Sequence, residues 1–186
     1  VGLRLGDGLG GFGPYEELPV HHLPTDINVT DVDGDGRLDV VALGALDAVG
    51  VIKGRVQWLR NTGDAVFEAP RTISNLDNSD AWYLTSADFD GNGTVDFAIS
   101  SHKLNRVPTV AFTDGRGELS AFDTPNGSGN ERTAGETAVA DLNGDGWPDL
   151  VVANDAKAVD EFHADGFSLY FGSADGSLTA GVSPSV

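Results

Sequence analysis

Asp31-Val32-Asp33-Gly34-Asp35-Gly36-Arg37-Leu38-Asp39 decides how this chain is read. The pattern returns as Asp88-Phe89-Asp90-Gly91-Asn92-Gly93-Thr94-Val95-Asp96. It returns again as Asp141-Leu142-Asn143-Gly144-Asp145-Gly146-Trp147-Pro148-Asp149. Calcium takes about six to eight oxygen ligands at roughly 2.3–2.6 Å. In a tight loop, side chains at positions 1, 3 and 5 can converge on one centre. A carbonyl at position 7 and a carboxylate at position 9 can complete the set. The first copy offers Asp31, Asp33, Asp35, the Arg37 carbonyl and Asp39. The second offers Asp88, Asp90, Asn92, the Thr94 carbonyl and Asp96. The third offers Asp141, Asn143, Asp145, the Trp147 carbonyl and Asp149. Gly at positions 4 and 6 permits backbone angles closed to most residues.

Asp/Asn/Gly strings also make ordinary turns. Three copies in register argue for more than turns, and the expectation is about three calcium ions. Magnesium prefers octahedral geometry and retained waters, so loops crowded with protein oxygens suit calcium better. A helix–loop–helix calcium site would need Glu at position 12, where this chain has Ala42, Ile99 and Val152.

A second landmark shares the period. An apolar run, a Gly/Asp turn and a closing apolar residue recur, the last at Phe12, Phe67, Leu119 and Leu178, spaced 55, 52 and 59 apart. The loops start 57 and 53 apart. Each repeat therefore holds four short β-rich segments: one before the loop (Ile27–Thr30, Ala138–Ala140), one after it (Val40–Leu43, Phe97–Ile99, Leu150–Ala153), one before the Gly/Asp turn, and one following it (Arg71–Ile73). Such runs are too short and β-branched for helices. The two inner segments are nearly continuously apolar, as in strands buried on both faces. Four strands per repeat is the pattern of a β-propeller blade; a stacked β-sandwich of hairpins is the rival architecture. The expected organisation is one all-β repeat domain, with a partial blade (an outer-strand hairpin) at 1–22 and complete blades at 23–76, 77–132 and 133–186.

Composition excludes several functions. Acids outnumber bases 29 to 11, a formal charge of −18, which repels nucleic acid and anionic membranes. Ten of the acids sit in the three nine-residue loops, where they would repel one another without a cation. There is no Cys, so disulfides and Cys-ligated metals are out. No run of 18 apolar residues exists, so membrane insertion by a helix is not expected. The chain begins with Val and is expected to be a processed or excised piece.

His21, His22, His102 and His163 fall in expected loops without metal-ligand spacing, and read as exposed loop histidines. Asn126-Gly127-Ser128-Gly129-Asn130 lacks Lys and a following helix, so it is a turn rather than a phosphate loop. Trp82 and Tyr83 are expected in the core, on an inner strand. Trp147 is expected to matter through its carbonyl more than its ring. No nucleophile or paired-carboxylate motif stands apart from the metal loops. Asn28, Asn92 and Asn126 open glycosylation sequons, which arise often by chance.

The acidic loops, the following strands (Asp39-Val40-Val41-Ala42, Asp149-Leu150-Val151-Val152-Ala153), the Asn61-Thr62-Gly63-Asp64 turn leading to Phe67, and Tyr170-Phe171-Gly172 together resemble the FG-GAP/VCBS repeats of the integrin α-subunit type of β-propeller. The resemblance spans nearly the whole chain. It implies calcium loops joining the first and second strands of each blade on one face of a disc. It also implies ligand contact on the opposite face, and a complete ring of about seven blades. Three blades and a hairpin would then be part of a larger ring, closed by a longer chain or by other subunits. The function expected is a non-catalytic adhesion or binding module that recognises a protein or glycan. Its expected place is extracellular, secreted or at the cell surface. The alternative is a propeller enzyme of the polysaccharide lyase or dehydratase kind, which would need His102, His163, Lys103 and Glu136 to converge.

Overall fold

The computed structural model describes residues 1–20, 23–46, 53–76, 81–101, 108–116, 118–123, 133–155 and 166–181. Among them every regular element is a β-strand. Residues 1–20 contribute a short antiparallel pair, β1 (Gly2–Leu3) with β2 (Glu16–Glu17). Three four-stranded antiparallel sheets follow. The first is β3 (Pro24–Thr30), β4 (Asp39–Leu46), β5 (Lys53–Leu59) and β6 (Arg71–Leu76). The second is β7 (Ala81–Ala87), β8 (Asp96–Ser101), β9 (Thr109–Thr113) and β10 (Leu119–Asp123). The third is β11 (Thr133–Ala140), β12 (Asp149–Asp155), β13 (Gly166–Phe171) and β14 (Thr179–Ala180). In each sheet consecutive strands are neighbours, the up-and-down order of a propeller blade.

Side-chain alternation along the second strand builds the stack. Position 10 of each repeat points back, to the preceding element, and position 11 points forward. Thus Val41 looks toward the second sheet, and Phe97 looks back at it. Their cluster adds Leu43, Val56 and Trp58 from the first sheet and Leu84, Ile99 and Ala111 from the second. Ala98 then looks forward and Leu150 back, within a cluster that adds Val110, Phe112, Val152, Tyr170 and Leu178. Val40, pointing back from the first sheet, packs with Leu59 and Leu18. Full burial of each Val, Leu or Phe contributes about 1.5–3 kcal/mol, so these clusters hold the sheets face to face.

Polar contacts tie the same neighbours together. The Leu84 amide donates to Asp26 Oδ2 at 2.8 Å, and Ser86 Oγ donates to Asn28 Oδ1 at 2.9 Å. Ser100 Oγ donates to the Gly135 carbonyl at 2.7 Å. At the periphery Arg71 pairs with Glu118 at 2.5 Å. Asn28, inside this inter-sheet contact, is poorly placed to carry a glycan.

The first strand of each sheet departs from the expected burial. Trp82 is 41% exposed and Tyr83 half-buried, so neither is core as the sequence suggested. Ile27 and Val29 are exposed too. They share the face of their paired residues Ala42 and Val40, and residues 1–20 cover only the outer part of that face.

Candidate metal centre

Each acidic loop joins the first strand of a sheet to the second. Its backbone is the same in all three repeats. The glycines at positions 4 and 6 have positive φ: 71° and 84° at Gly34 and Gly36, 70° and 85° at Gly91 and Gly93, 78° and 91° at Gly144 and Gly146. An L side chain is strained there, which explains why the sequence uses glycine. The position-1 carboxylate accepts the position-6 amide in every copy: Gly36 to Asp31 at 2.8 Å, Gly93 to Asp88 at 2.9 Å, Gly146 to Asp141 at 2.9 Å.

The position-9 aspartates are fully buried and act as hubs. Asp39 Oδ2 accepts the Val32 amide at 3.2 Å and Trp58 Nε1 at 2.9 Å, while Oδ1 accepts the Asn61 amide at 2.7 Å. Asp96 accepts the amides of Phe89 and Thr113, both at 2.9 Å. Asp149 accepts those of Leu142 at 2.8 Å and Gly172 at 2.9 Å. One carboxylate thus fastens position 2 of the loop to the end of the third strand. Sequence spacing gave position 9 a metal-ligand role and missed this second one. Burial pushes the Asp39 carboxyl above the ordinary carboxylate range. Burial pushes Asp96 up to about 6, against the pull of the Thr113 and Phe89 amides and with the charge of Asp90 adding to the rise.

Convergence differs among the copies. Among the described residues, Asp31, Asp33 and Asp39 offer oxygens within 4.8 Å of one another, and so do Asp88, Asp90 and Asp96. Asp141, Asp145 and Asp149 do not form such a group. In that third loop Asn143 Nδ2 donates to Asp145 at 2.8 Å, and both carboxylate oxygens of Asp141 accept loop amides.

The second loop passes a sharper test. Among the described residues, Asp88 Oδ1 is buried and has no hydrogen-bond partner, although such atoms are normally satisfied. A divalent cation, with Asp90 and Asp96 beside it, would satisfy that oxygen. Asp88, Asp90 and Asp96 are therefore the residues that fit a metal best. A hard, oxygen-only donor set of this kind suits calcium or magnesium rather than zinc or copper. Trp147 lies against this loop: a Cβ on Gly91 would come within 2.5 Å of its ring. The ring, which the sequence left without a role, covers the neighbouring repeat's loop.

The first loop is occupied by cationic side chains. Arg60 Nε bonds Asp33, and its Nη2 lies 2.7 Å from Asp35 Oδ2. Arg37 Nη2 pairs with the same Asp35 oxygen, and its Nε donates to the Asn61 carbonyl at 3.0 Å. Burial works to raise the Asp35 carboxyl, but the Arg37 amide and the charges of Arg37 and Arg60 outweigh it, and the net shift is down.

His21, His22, His102, Lys103, His163 and Asn126–Asn130 lie outside the described residues; Glu136 stands exposed on β11. No helix among the described residues is long and apolar enough to cross a membrane.

Comparison with known proteins places these repeats. The FG-GAP-like repeat family matches residues 44–99, and the FG-GAP repeat family matches residues 134–161. The two spans contain the second and third acidic loops, and the first loop lies outside both. No curated protein matches the chain. Repeats of strand, acidic loop and buried strand, recurring three times and matched in two separate segments, support the assignment of this chain to the FG-GAP repeat family.

Proposed function

We propose that this chain is a calcium-stabilised extracellular binding module whose propeller loops recognise a protein or a glycan. The observation that carries the calcium part is the buried, unpartnered Oδ1 of Asp88 among the converging carboxylates of Asp90 and Asp96. The ion's role is structural. It offsets the repulsion of three clustered carboxylates and cross-links the two strands that the loop connects. In the full proposal Asp31, Asp33, Asp35, Asp39 and the Arg37 carbonyl hold a first ion. Asp88, Asp90, Asn92, Asp96 and the Thr94 carbonyl hold a second. Asp141, Asn143, Asp145, Asp149 and the Trp147 carbonyl hold a third. FG-GAP repeats occur in adhesion and binding modules, which supports recognition rather than catalysis.

The same reading takes the three sheets as blades of a larger ring. Its support is the pair of apolar outer faces, with Ile27, Val29 and Leu38 exposed on one and Leu142 and Phe167 on the other. Further repeats or other subunits would cover them.

Calorimetric titration with calcium tests the metal site directly. Saturable binding that Asp88→Asn abolishes at one site supports the proposal. Heat-silent titration, with no metal retained after dialysis, overturns it. Binding to arrayed glycans and to extracellular matrix proteins, with calcium and with chelator, then tests recognition; no calcium-dependent ligand in either set would count against it.

A further inference from the structure

We infer that the first acidic loop is closed by its own arginines and binds calcium far more weakly than the second; this rests on reading the second loop as a calcium site. β4 pairs with β5 so that Val40 faces Leu59, β8 with β9 so that Phe97 faces Ala111, and β12 with β13 so that Leu150 faces Tyr170. One step further along, Arg60, Phe112 and Phe171 come opposite Asp39, Asp96 and Asp149. The position that carries phenylalanine in the second and third repeats is therefore an arginine in the first. Phe112 is buried between sheets. Arg60 instead turns its guanidinium onto the loop, onto Asp33 and Asp35, with Glu68 3.7 Å away on its far side.

Position 7 adds a second departure. It is Arg37 in the first repeat, Thr94 in the second and Trp147 in the third. Two guanidinium groups thus meet Asp35, and one of them also meets Asp33. The local charge reflects this. Within its nine residues the first loop sets Arg37 beside four carboxylates, and Arg60 reaches in from the end of β5, whereas the second loop holds three carboxylates and no Lys or Arg. An arginine side chain stays charged at any ordinary pH, and its fork matches carboxylate oxygens well. A cation entering the first loop has to displace these pairs or forgo the acids at positions 3 and 5. In the second loop position 5 is the neutral Asn92, and the buried Asp88 oxygen awaits a partner. Arg37 and Arg60 are the specificity-determining residues that make the first loop self-sufficient.

Calcium titration of the whole chain, with single-loop knockouts to assign each site, is the experiment. The expected result is an affinity at least tenfold weaker at the site removed by Asp31→Asn than at the site removed by Asp88→Asn. Giving the first loop the second repeat's chemistry, Arg37→Thr with Arg60→Gln, is expected to strengthen the first site at least tenfold. Hydrogen exchange on the unaltered protein gives an independent readout. Chelator should leave the Gly36 and Arg37 amides as protected as before, while the Gly93 and Thr94 amides speed up at least tenfold. Equal affinities at the two loops, no gain on replacing the arginines, or equal deprotection of both loops by chelator each overturn the inference and leave the second site intact. Calcium binding at neither loop overturns the proposed function and this inference together. Should the arginine variants fold poorly, the exchange experiment on the unaltered chain decides.

Discussion

In the first acidic loop Asp33 and Asp35 meet guanidinium groups; in the second, Asp88 keeps a buried oxygen that nothing among the described residues satisfies. Both loops nonetheless have the same glycine angles, the same amide bond from position 6 to position 1, and the same buried aspartate at position 9. The frame of the loop is therefore separable from the means of balancing its charge. Nine residues fix the frame. On the proposed reading, position 7 and a residue some twenty positions downstream, across the sheet, decide whether the counter-charge comes from the protein or from solution.

The largest difference should appear at the hubs. Asp39→Ala strands three donors, from Val32, Trp58 and Asn61, whereas Asp96→Ala strands two. A buried donor left unpaired costs about 1–3 kcal/mol. Urea denaturation in chelator should show losses of about 3 kcal/mol or more for Asp39→Ala and about 2 kcal/mol or more for Asp96→Ala. The reverse order would mean that donor number does not set the strength of the hub.

Chelation should come next. Binding to the folded state alone adds about 2.7 kcal/mol per site at a hundred times Kd. Excess chelator should lower the melting temperature, Asp88→Asn should reproduce much of that loss, and Asp31→Asn little of it. Equal effects of the two substitutions would erase the distinction between the loops.

A smaller effect concerns pH. The Asp96 carboxyl, raised from 3.8 to about 6 by burial, favours its protonated form in the folded chain. Its contribution to stability is then complete below about pH 4 and is lost as pH rises through about 6. Calcium held as proposed would reverse the sign, because it would bind the carboxylate form. Stability in chelator should therefore fall between pH 4 and 6 in the unaltered chain, and fall less in Asp96→Asn. In calcium, affinity at the second loop should weaken as pH drops below 6. Identical pH curves for the two proteins in chelator would remove Asp96 as the titrating group.

The smallest effect extends the comparison to the third loop. Position 2 is Val32 in the first, 1% exposed, and Phe89 in the second, also 1% exposed; in the third it is Leu142, 52% exposed. Leu142→Ser should change urea stability by no more than about 0.5 kcal/mol. A loss several times larger would show that this face is covered in solution.

Much of this was legible in the sequence. Landmarks recurring with a common period announced four strands per repeat, and the loops fell between first and second strands as the spacing implied. Ligand candidates at positions 1, 3 and 9 were visible as well, since Asp-x-Asp with a downstream Asp is a local pattern. What stayed hidden depends on distant residues. The Asp39 hub needs Trp58 and Asn61, about twenty positions away, and only strand register brings them close. Arg60 could have been caught by aligning the repeats at Phe112 and Phe171, where it is the exception. Trp82 misled because aromatic residues beside β-branched ones usually mark a core strand. Here the strand edges the sheet, and Trp82 falls in the register shift between Ala81 and Tyr83.

Position 2 also bears on how the chain comes apart. Val32 reaches from the first loop into the cluster shared with the second sheet, and Phe89 from the second loop into the cluster shared with the third. Each of the first two repeats thus carries a plug for the next, and among the described residues every apolar cluster spans only adjacent elements. Stretched from its two ends, such a chain should give way one sheet at a time, because losing a terminal sheet leaves the remaining junction whole. A force–extension trace would then be a staircase rather than a single rupture, with calcium raising the step that opens the second sheet.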